Sequence, residues 1–219
     1  MTFPYYLIIV FLGGLLGCFF LFFKKDSPIY LKAFGPFLLI TLIVDALGVY
    51  LSSKATHTLY IYNPFVAVEF TFYLWVLKTV IKDPLIKKIL FYTLIVFPAL
   101  CVINMLFIQK FRSFNSITYA LGCLLIIFFS IYFFFELFKV QHSVKLSSDP
   151  AFWICTALLF FYSCTFPLFV ASNFLDSIPI VIKKNATVIL TLLNTLLYSL
   201  FIIAFLCKIR TKKSSLSVQ

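Results

Sequence analysis

The sequence predicts an all-α membrane protein, a bundle of seven transmembrane helices with its N-terminus outside and its C-terminus in the cytoplasm. The chain is 63% hydrophobic and only 11% charged, whereas about a quarter of the residues of a soluble domain are charged. Seven apolar stretches each reach the roughly 20 residues that a helix needs to cross a bilayer core. These stretches are residues 3–23, 30–51, 60–81, 85–108, 114–138, 152–175 and 186–207.

The basic residues predict the orientation of these spans. When the connections are assigned alternately to two sides, thirteen of the 18 Lys and Arg residues fall on one side. Basic residues are enriched in cytoplasmic connections, so this side faces the cytoplasm. We therefore expect residues 1–207 to form one seven-helix transmembrane domain in the plasma (inner) membrane. We expect residues 208–219 to form a short, basic cytoplasmic tail without regular structure.

The net charge of +11 has the same explanation. The Lys and Arg residues flank apolar spans, and the sequence contains no basic helix and no RNA-binding or zinc-finger signature. Nucleic-acid-binding domains concentrate such residues on one face or along one helix. We therefore expect the lipid bilayer, and no nucleic acid, as a partner of this chain.

The first span has the features of a retained helix and not those of a cleaved signal peptide. It lacks a basic segment before its apolar run, and it ends in Lys24 and Lys25, which is typical of a stop-transfer flank. Gly13, Gly14 and Gly17 within it contain a G-x-x-x-G spacing. This spacing marks either a dimerisation face or a close contact between helices of one chain, and a seven-helix bundle favours the second.

The second and third spans each carry a carboxylate, Asp45 and Glu69. A charge at the bilayer centre costs about 2.5–3.5 kcal/mol on insertion scales, so such residues usually face the protein interior. The connection between these spans is centred near Thr56, and the two acids lie 11 and 13 residues from it. They would then lie at similar depth on neighbouring antiparallel helices and would share one proton. The alternative is that a nearby polar group satisfies each carboxyl separately.

Other polar residues accompany the two acids at helical spacing. Thr41 lies one turn before Asp45, and Tyr73 lies one turn after Glu69. In the seventh span, Asn194 and Tyr198 are four residues apart. The inner halves of the fifth and seventh spans are nearly all Leu, Ile and Phe. We predict an outward-facing polar cavity above an apolar plug. Its candidate ligand- or proton-binding residues are Asp45, Glu69, Asn194, Tyr198, Tyr73 and Thr41.

The fourth and fifth spans carry isolated polar residues. Asn104 lies near the outer end of the fourth span, and Asn115 and Thr118 lie at the start of the fifth. We expect such residues to form hydrogen bonds between helices, worth about 0.6 kcal/mol each. Glu136 lies three residues before Lys139, so we expect it at the cytoplasmic interface without a further role.

Several classes of membrane protein lack support in this sequence. The last span contains no lysine for a retinal Schiff base, so we expect no retinal. The two histidines lie in connections and no G-x-S-x-G motif occurs, so we expect no metal site, no cofactor and no enzymatic activity. The six cysteines lie within or beside apolar spans without a C-x-x-C spacing, which is typical of packing residues.

Three passages of the chain form a further pattern. They are Asn63-Pro64-Phe65 with Glu69-Phe70, then Asp149-Pro150-Ala151-Phe152-Trp153, and then Leu197-Tyr198-Ser199-Leu200-Phe201-Ile202-Ile203. With these passages the chain resembles a group of bacterial seven-transmembrane-helix proteins of about this length. The resemblance implies a genomic setting beside two-component signalling genes, and it implies no particular activity.

The sequence leaves three functional hypotheses. The first is a receptor-like or sensory protein that binds a small ligand, proton or lipid in the outward cavity. It would act through a signalling partner in the cytoplasm or membrane, because no output domain is visible in the sequence. The second is a small-molecule transporter, proton-coupled through Asp45 and Glu69. The third is an intramembrane enzyme that uses the same two acids for general acid–base chemistry on lipids.

Overall fold

A computed structural model describes residues 5–23, 27–54, 57–109, 113–139, 146–174 and 180–216, with side chains described outside 171–184 and 210–216. These residues form seven α-helices and contain no β-strand. A π-helical turn, Asn104–Ile108, directly follows α4, and a 3₁₀ turn, Leu146–Ser148, precedes α6. The helices are α1 (Tyr6–Phe23), α2 (Ile29–Ser53), α3 (Leu59–Val80), α4 (Pro84–Ile103), α5 (Ser116–Lys139), α6 (Pro150–Phe174) and α7 (Ile180–Leu216).

Six of these helices are long and apolar enough to cross a membrane by length and composition. They confirm the predicted class, an all-helical, multi-pass membrane protein. The helix outside this set is α3, which carries four of the polar or amphipathic residue types that lower hydropathy: Tyr, Asn, Glu and Trp. The prediction of seven spans therefore depends on α3 alone.

Six helices close into a ring, and the seventh packs outside it. Going around the ring, α1 contacts α2, α2 contacts α3, α3 contacts α5, α5 contacts α6, α6 contacts α7, and α7 returns to α1. Helix α4 packs on α3 and α5 from outside. We call the end of the bundle where α3 and α5 begin and α4 ends the amide end, because several Asn and Gln side chains lie there. The carboxylate end is the opposite end, where α3 and α5 finish and α6 begins.

The face of α3 that points toward the centre of the ring is mainly apolar, although the helix carries several polar residues. Tyr73, Leu74, Leu77 and Ile81 are fully buried, and Phe70 completes this face one turn earlier. The spacing of three and four residues puts these side chains on one side of the helix. Protein therefore covers the inward face of the helix that is least suited to contact lipid.

Aromatic rings fill the interior between the helices. Phe34 of α2 meets Phe201 of α7 with ring centroids 4.9 Å apart, and Tyr73 of α3 lies 6.1 Å from Phe201. Phe70 of α3 lies 5.1 Å from Tyr162 of α6. Such pairs contribute about 0.5–1.5 kcal/mol each beyond the burial of their area. These contacts join helices on opposite sides of the ring, and with the buried face of α3 they form an apolar layer across it.

Gly17 and Gly35 bring α1 and α2 into backbone contact. A Cβ atom added to either glycine would overlap backbone atoms of the other helix. Gly13 and Gly14 also face α2, through the side chains of Leu38 and Leu39. The G-x-x-x-G spacing of the first span thus marks a contact within the chain, which was the alternative that a seven-helix bundle favoured.

The last helix differs from the sequence-based expectation. Helix α7 runs through Leu216, whereas the apolar pattern ended at Cys207 and residues 208–219 were predicted to lack regular structure. Hydropathy marks the part of a helix that suits lipid, but it does not mark where the helix ends. Lys and Arg, which dominate the segment after Cys207, are good helix formers.

The contact between Gly17 and Gly35 yields a stability prediction. Gly17→Val should lower the free energy of unfolding by about 1–3 kcal/mol, because the added side chain forces α1 away from α2. Gly13→Ala is the matched control, since its Cβ would lie 3.2 Å from a terminal methyl group of Leu38, which can move. The measurement is unfolding of the purified variants in mixed micelles. A Gly17→Val chain as stable as the wild type would contradict the contact.

The start of α4 gives a second prediction. Asp83 Oδ1 accepts hydrogen bonds from the backbone N–H groups of Leu85 (2.8 Å) and Ile86 (3.3 Å), and Tyr132 of α5 donates to Oδ2 at 2.6 Å. The Tyr132 hydroxyl, followed by the Leu85 N–H, holds the pKa of Asp83 below its ordinary value. The ionised cap therefore stabilises the fold above the ordinary pKa of Asp, about 3.9. This stabilisation is lost only as the pH falls through the lower, folded-state pKa.

Asp83→Ala should therefore expose the first turn of α4. We expect the amide hydrogens of residues 85 and 86 to exchange with solvent about five- to tenfold faster at neutral pH. Asp83→Asn keeps a side-chain acceptor and should show most of the wild-type protection. Hydrogen–deuterium exchange read by mass spectrometry measures both variants. Equal exchange in Asp83→Ala and the wild type would show that the cap does not protect this turn.

Candidate functional site

Asp45 and Glu69 lie at comparable depth on contacting helices. Asp45 is eight residues before the end of α2, and Glu69 is ten residues after the start of α3. At about 1.5 Å per residue, they lie about 12 Å and 15 Å from the amide end. Both side chains are partly buried, and the two carboxyl groups are close enough to interact electrostatically. We call them the acid pair.

The partners of Glu69 are tyrosine hydroxyls inside the ring. Tyr162 of α6, which is 1% exposed, donates to Glu69 Oε1 at 3.4 Å. The hydroxyl of Tyr73, one turn along α3, lies near the same carboxylate and interacts with it electrostatically. It is buried and outside hydrogen-bonding geometry with any partner. Glu69 thus links α3 to α6, while Tyr73 holds an unused donor beside it.

Tyrosine hydroxyls also surround Asp45. Tyr6 of α1 and Tyr62 of α3 both lie near the Asp45 carboxylate and interact with it electrostatically. Gly48, one turn after Asp45, leaves the space that Tyr62 fills, because a Cβ atom there would overlap the Tyr62 hydroxyl. Tyr6 stacks on Tyr198 of α7 with centroids 6.2 Å apart and planes inclined by 14°. Asp45 thus links α2 to α1, and through this stack to α7.

The acid pair is therefore enclosed by a tyrosine shell drawn from four helices. A carboxylate accepts hydrogen bonds only, whereas a protonated carboxyl also donates one, and a tyrosine hydroxyl can do either. Gaining or losing one proton would therefore reverse donor and acceptor roles between an acid and its tyrosines. The same groups suit a ligand that carries an ammonium or hydroxyl group. The shell consists of Tyr6, Tyr62, Tyr73, Tyr162 and Tyr198.

Two of the six residues predicted for the site use their polar atoms elsewhere. The Thr41 hydroxyl is buried and donates to the carbonyl of Phe37 at 3.0 Å. The Asn194 amide donates to the carbonyl of Leu190, also at 3.0 Å. Both are bonds to their own helix, four residues back, and such bonds explain polar residues at helical spacing without a shared cavity. The acid pair, Tyr73 and Tyr198 are brought together.

Three members of the shell were not among the six candidate residues. Tyr62 was placed by spacing on the face of α3 that carries Glu69, seven residues before it, but was not included in the candidate site. Tyr6 and Tyr162 stand among mainly apolar and aromatic residues, and neither of their spans carries a carboxylate. Only the packing of α1 and α6 around the acids distinguishes these tyrosines from the other aromatic residues of the chain.

A second polar region lies at the carboxylate end. Both carboxylate oxygens of Glu136 accept from the backbone N–H of Lys82, at 2.9 and 3.1 Å, so this residue caps the end of α3 and is more than an interfacial charge. Asp149 accepts from the N–H of Ala151 at 2.9 Å at the start of α6. These residues border a cavity of about 410 Å³. Its polar lining is Tyr30, Thr79, Lys82, Glu136 and Asp149.

Two other cavities are apolar clefts beside α4, of about 630 Å³ against α3 and 380 Å³ against α5. Neither acid of the pair lines any of these three cavities. None of the six cysteines forms a disulfide bond. Within the described part of the chain, no group of three or more His, Cys, Asp or Glu side chains is placed to hold a metal ion.

No protein-family model, curated protein or solved structure matches this chain. The functional hypotheses therefore depend on the chemistry of the acid pair and its shell.

A double-mutant cycle tests whether the two acids interact. Asp45→Asn and Glu69→Gln should be non-additive in the free energy of unfolding by about 0.5–3 kcal/mol, because each substitution removes the charge that the other acid experiences. The control cycle pairs Glu69→Gln with Glu136→Gln. Glu136 contacts Lys82, 13 residues along α3 from Glu69 and so about 20 Å away, and this pair should be additive. Additivity in both cycles would exclude an interacting pair.

Proposed function

We propose that this chain is a receptor-like or sensory membrane protein that responds at the acid pair and acts through a partner protein. The observation that supports this most is the enclosure of two intramembrane carboxyl groups by tyrosines on other helices. Intramembrane acids are expensive to insert and are commonly functional. The stimulus is a proton, a small ligand or a lipid headgroup that changes the hydrogen bonding of these acids.

The connections of the acid pair supply a way to transmit the stimulus. The contact between Asp45 and Tyr6 connects α2 to α1, and the hydrogen bond between Tyr162 and Glu69 connects α6 to α3. A proton or ligand that alters these interactions shifts the balance between two arrangements of the four helices. Because α6 begins at the carboxylate end, its movement would reach the predicted cytoplasmic face, where a partner protein would bind.

The orientation is part of the same proposal. Seven crossings would put the N-terminal end of α1 and the amide end outside, and the basic C-terminal part of α7 in the cytoplasm. The charge distribution supports this orientation. Helix α3 would be the crossing that brings the six candidate spans to seven, because the interior of the ring covers its buried polar residues, Asn63 and Tyr73.

Topology is tested by single cysteines in a cysteine-free chain. Cysteine at Tyr5 and at Lys54 should react with a membrane-impermeant maleimide in intact cells, and cysteine at Lys82 or Lys212 should react only after lysis. Tyr5, Lys54 and Lys82 lie just outside helix ends, and Lys212 lies four residues before the end of α7. Labelling of Tyr5→Cys and Lys82→Cys from the same side would require that α3 does not cross.

The sensory proposal predicts a conformational response without transport. The chain has two tryptophans, Trp75 on α3 and Trp153 at the start of α6. In a Trp75→Phe background, the emission of Trp153 should change as the pH falls from about 8 to about 4, across the range in which carboxyl groups titrate. Asp45→Asn and Glu69→Gln should each abolish most of this change.

Asp83→Asn is the matched control, since it neutralises a carboxylate that caps α4 away from the acid pair. It should retain the wild-type response. Proteoliposomes loaded with a pH-sensitive dye should show no proton or solute flux. A Trp153 response that persists in both acid-pair variants would overturn the proposed role of these residues.

A transporter is the second candidate, and one observation favours it. A second polar region, around Glu136 and Asp149, lies across the apolar layer from the acid pair. Two polar regions on opposite sides of a closed layer are what alternating access requires. Flux in proteoliposomes that disappears in Asp45→Asn would favour transport over sensing.

A further inference from the structure

The amide end holds a second cluster of buried polar side chains, distinct from the acid pair. It joins the start of α3, the π-helical turn after α4 and the start of α5. Five of its members are between 1% and 6% exposed. We call this group the amide cluster. It consists of Asn63, Asn104, Gln109, Asn115, Ser116 and Thr118.

Three side-chain amides of the cluster donate hydrogen bonds within it or to the neighbouring backbone. Asn104 Nδ2 donates to Gln109 Oε1 at 2.8 Å and to Thr118 Oγ1 at 3.4 Å. Gln109 Nε2 donates to Ser116 Oγ at 2.7 Å. Asn63 Nδ2 donates to the carbonyl of Ser113 at 2.9 Å. Each of these three amide groups therefore donates at least one hydrogen bond.

The N-terminal amides of α5 are also satisfied. The N–H of Asn115 donates to Asn63 Oδ1 at 3.3 Å, and the N–H of Ile117 donates to Gln109 Oε1 at 3.2 Å. The N–H of Tyr119 donates to the carbonyl of Asn115 at 2.9 Å. The usual anion-binding groups of a helix start are thus occupied by side chains from α3 and from the end of α4.

Two oxygens of the cluster remain without a partner. Asn104 Oδ1 and Asn115 Oδ1 are buried, and each residue is only 2% exposed. A buried amide oxygen without a partner costs about 1–3 kcal/mol, so such atoms are rare in stable proteins. Both unsatisfied atoms are acceptors. Among the described residues, no donor reaches these two oxygens.

The two oxygens belong to residues that meet at one side chain. Thr118 Oγ1 accepts from Asn104 Nδ2 and donates to the Asn115 carbonyl at 3.2 Å. Asn104 also begins the π-helical turn, in which the N–H of Gln109 reaches back five residues to the Asn104 carbonyl at 2.9 Å. Insertions of this kind within helices often occur at functional sites.

We propose that the amide cluster binds a small monovalent cation, with sodium as the physiological candidate. Neutral amide, hydroxyl and carbonyl oxygens at broken or terminal helix segments are the ligands that sodium uses inside membrane proteins. Calcium and magnesium prefer carboxylates, and the described cluster contains none. An ordered water that donates to these oxygens is the alternative occupant, and the experiment below distinguishes it from a cation. The site does not depend on the function proposed for the acid pair.

Thermal unfolding of the purified full chain tests the site. At constant ionic strength, replacing choline chloride by sodium chloride should raise the unfolding temperature by about 5 °C at saturation, because an ion that binds only the folded state stabilises it. Asn115→Asp adds a negative charge at an unpaired oxygen. Half of the maximal shift should then be reached at a sodium concentration at least tenfold lower.

Asn115→Leu should lose the sodium-dependent shift, and Thr93→Ala should keep it. Thr93 is a matched control on α4, where its hydroxyl bonds to the carbonyl of Ile89 away from the cluster. If Asn115→Leu does not fold, Asn115→Asp alone decides the question. Identical unfolding curves in sodium and choline chloride for both the wild type and Asn115→Asp would mean that only an ordered water fills the cluster, and would overturn the proposal.

Discussion

The burial of α3 is the constraint on which the rest of the structure depends. This helix carries Glu69 and several tyrosines, and an unpartnered polar group in hydrocarbon costs several kcal/mol. Its inward face packs against the interior of the ring, and Tyr162 of α6 supplies a hydroxyl partner to Glu69. The mostly apolar exposed surfaces of α1 and α4 remain for lipid. The aromatic filling of the ring and the packing of α4 on α3 meet the same requirement.

Close packing makes the enclosure possible. Lipid tails are as apolar as leucine, so helices in a membrane associate through shape and polar contacts more than through the hydrophobic effect. The contact of Gly17 with Gly35 lets α1 and α2 approach at their backbones, and Gly48 makes room for Tyr62 beside Asp45. Small residues thus lie where two backbones or a backbone and a ring must share space. Large aromatic residues fill the volume that remains.

Much of the fold could be predicted from the sequence, because span length and hydropathy are local properties. The chain order of the helices and most of their ends followed from them. The ring could not be predicted, since it depends on contacts between helices that are far apart in the sequence, such as α1 and α7. The acid pair could be predicted from its cost in lipid and from helical spacing. Tyr6 and Tyr162 could not be predicted, because they differ from neighbouring aromatic residues only by a hydroxyl. Thr41 and Asn194 were included because spacing alone does not distinguish a hydrogen bond to the same helix from one across the bundle.

The low hydropathy of α3 also has a consequence for biogenesis. Insertion proceeds from the N-terminus, so α1 and α2 enter the bilayer first and can pair as a hairpin through their glycines. The next segment would partition poorly by itself, because Asn63 and Glu69 oppose its transfer into lipid. It would stay near the insertion machinery until α5, α6 and α7 emerge to cover it. The second half of the chain would then complete the integration of a helix made much earlier, and truncations after α4 would leave α3 as a degradation signal.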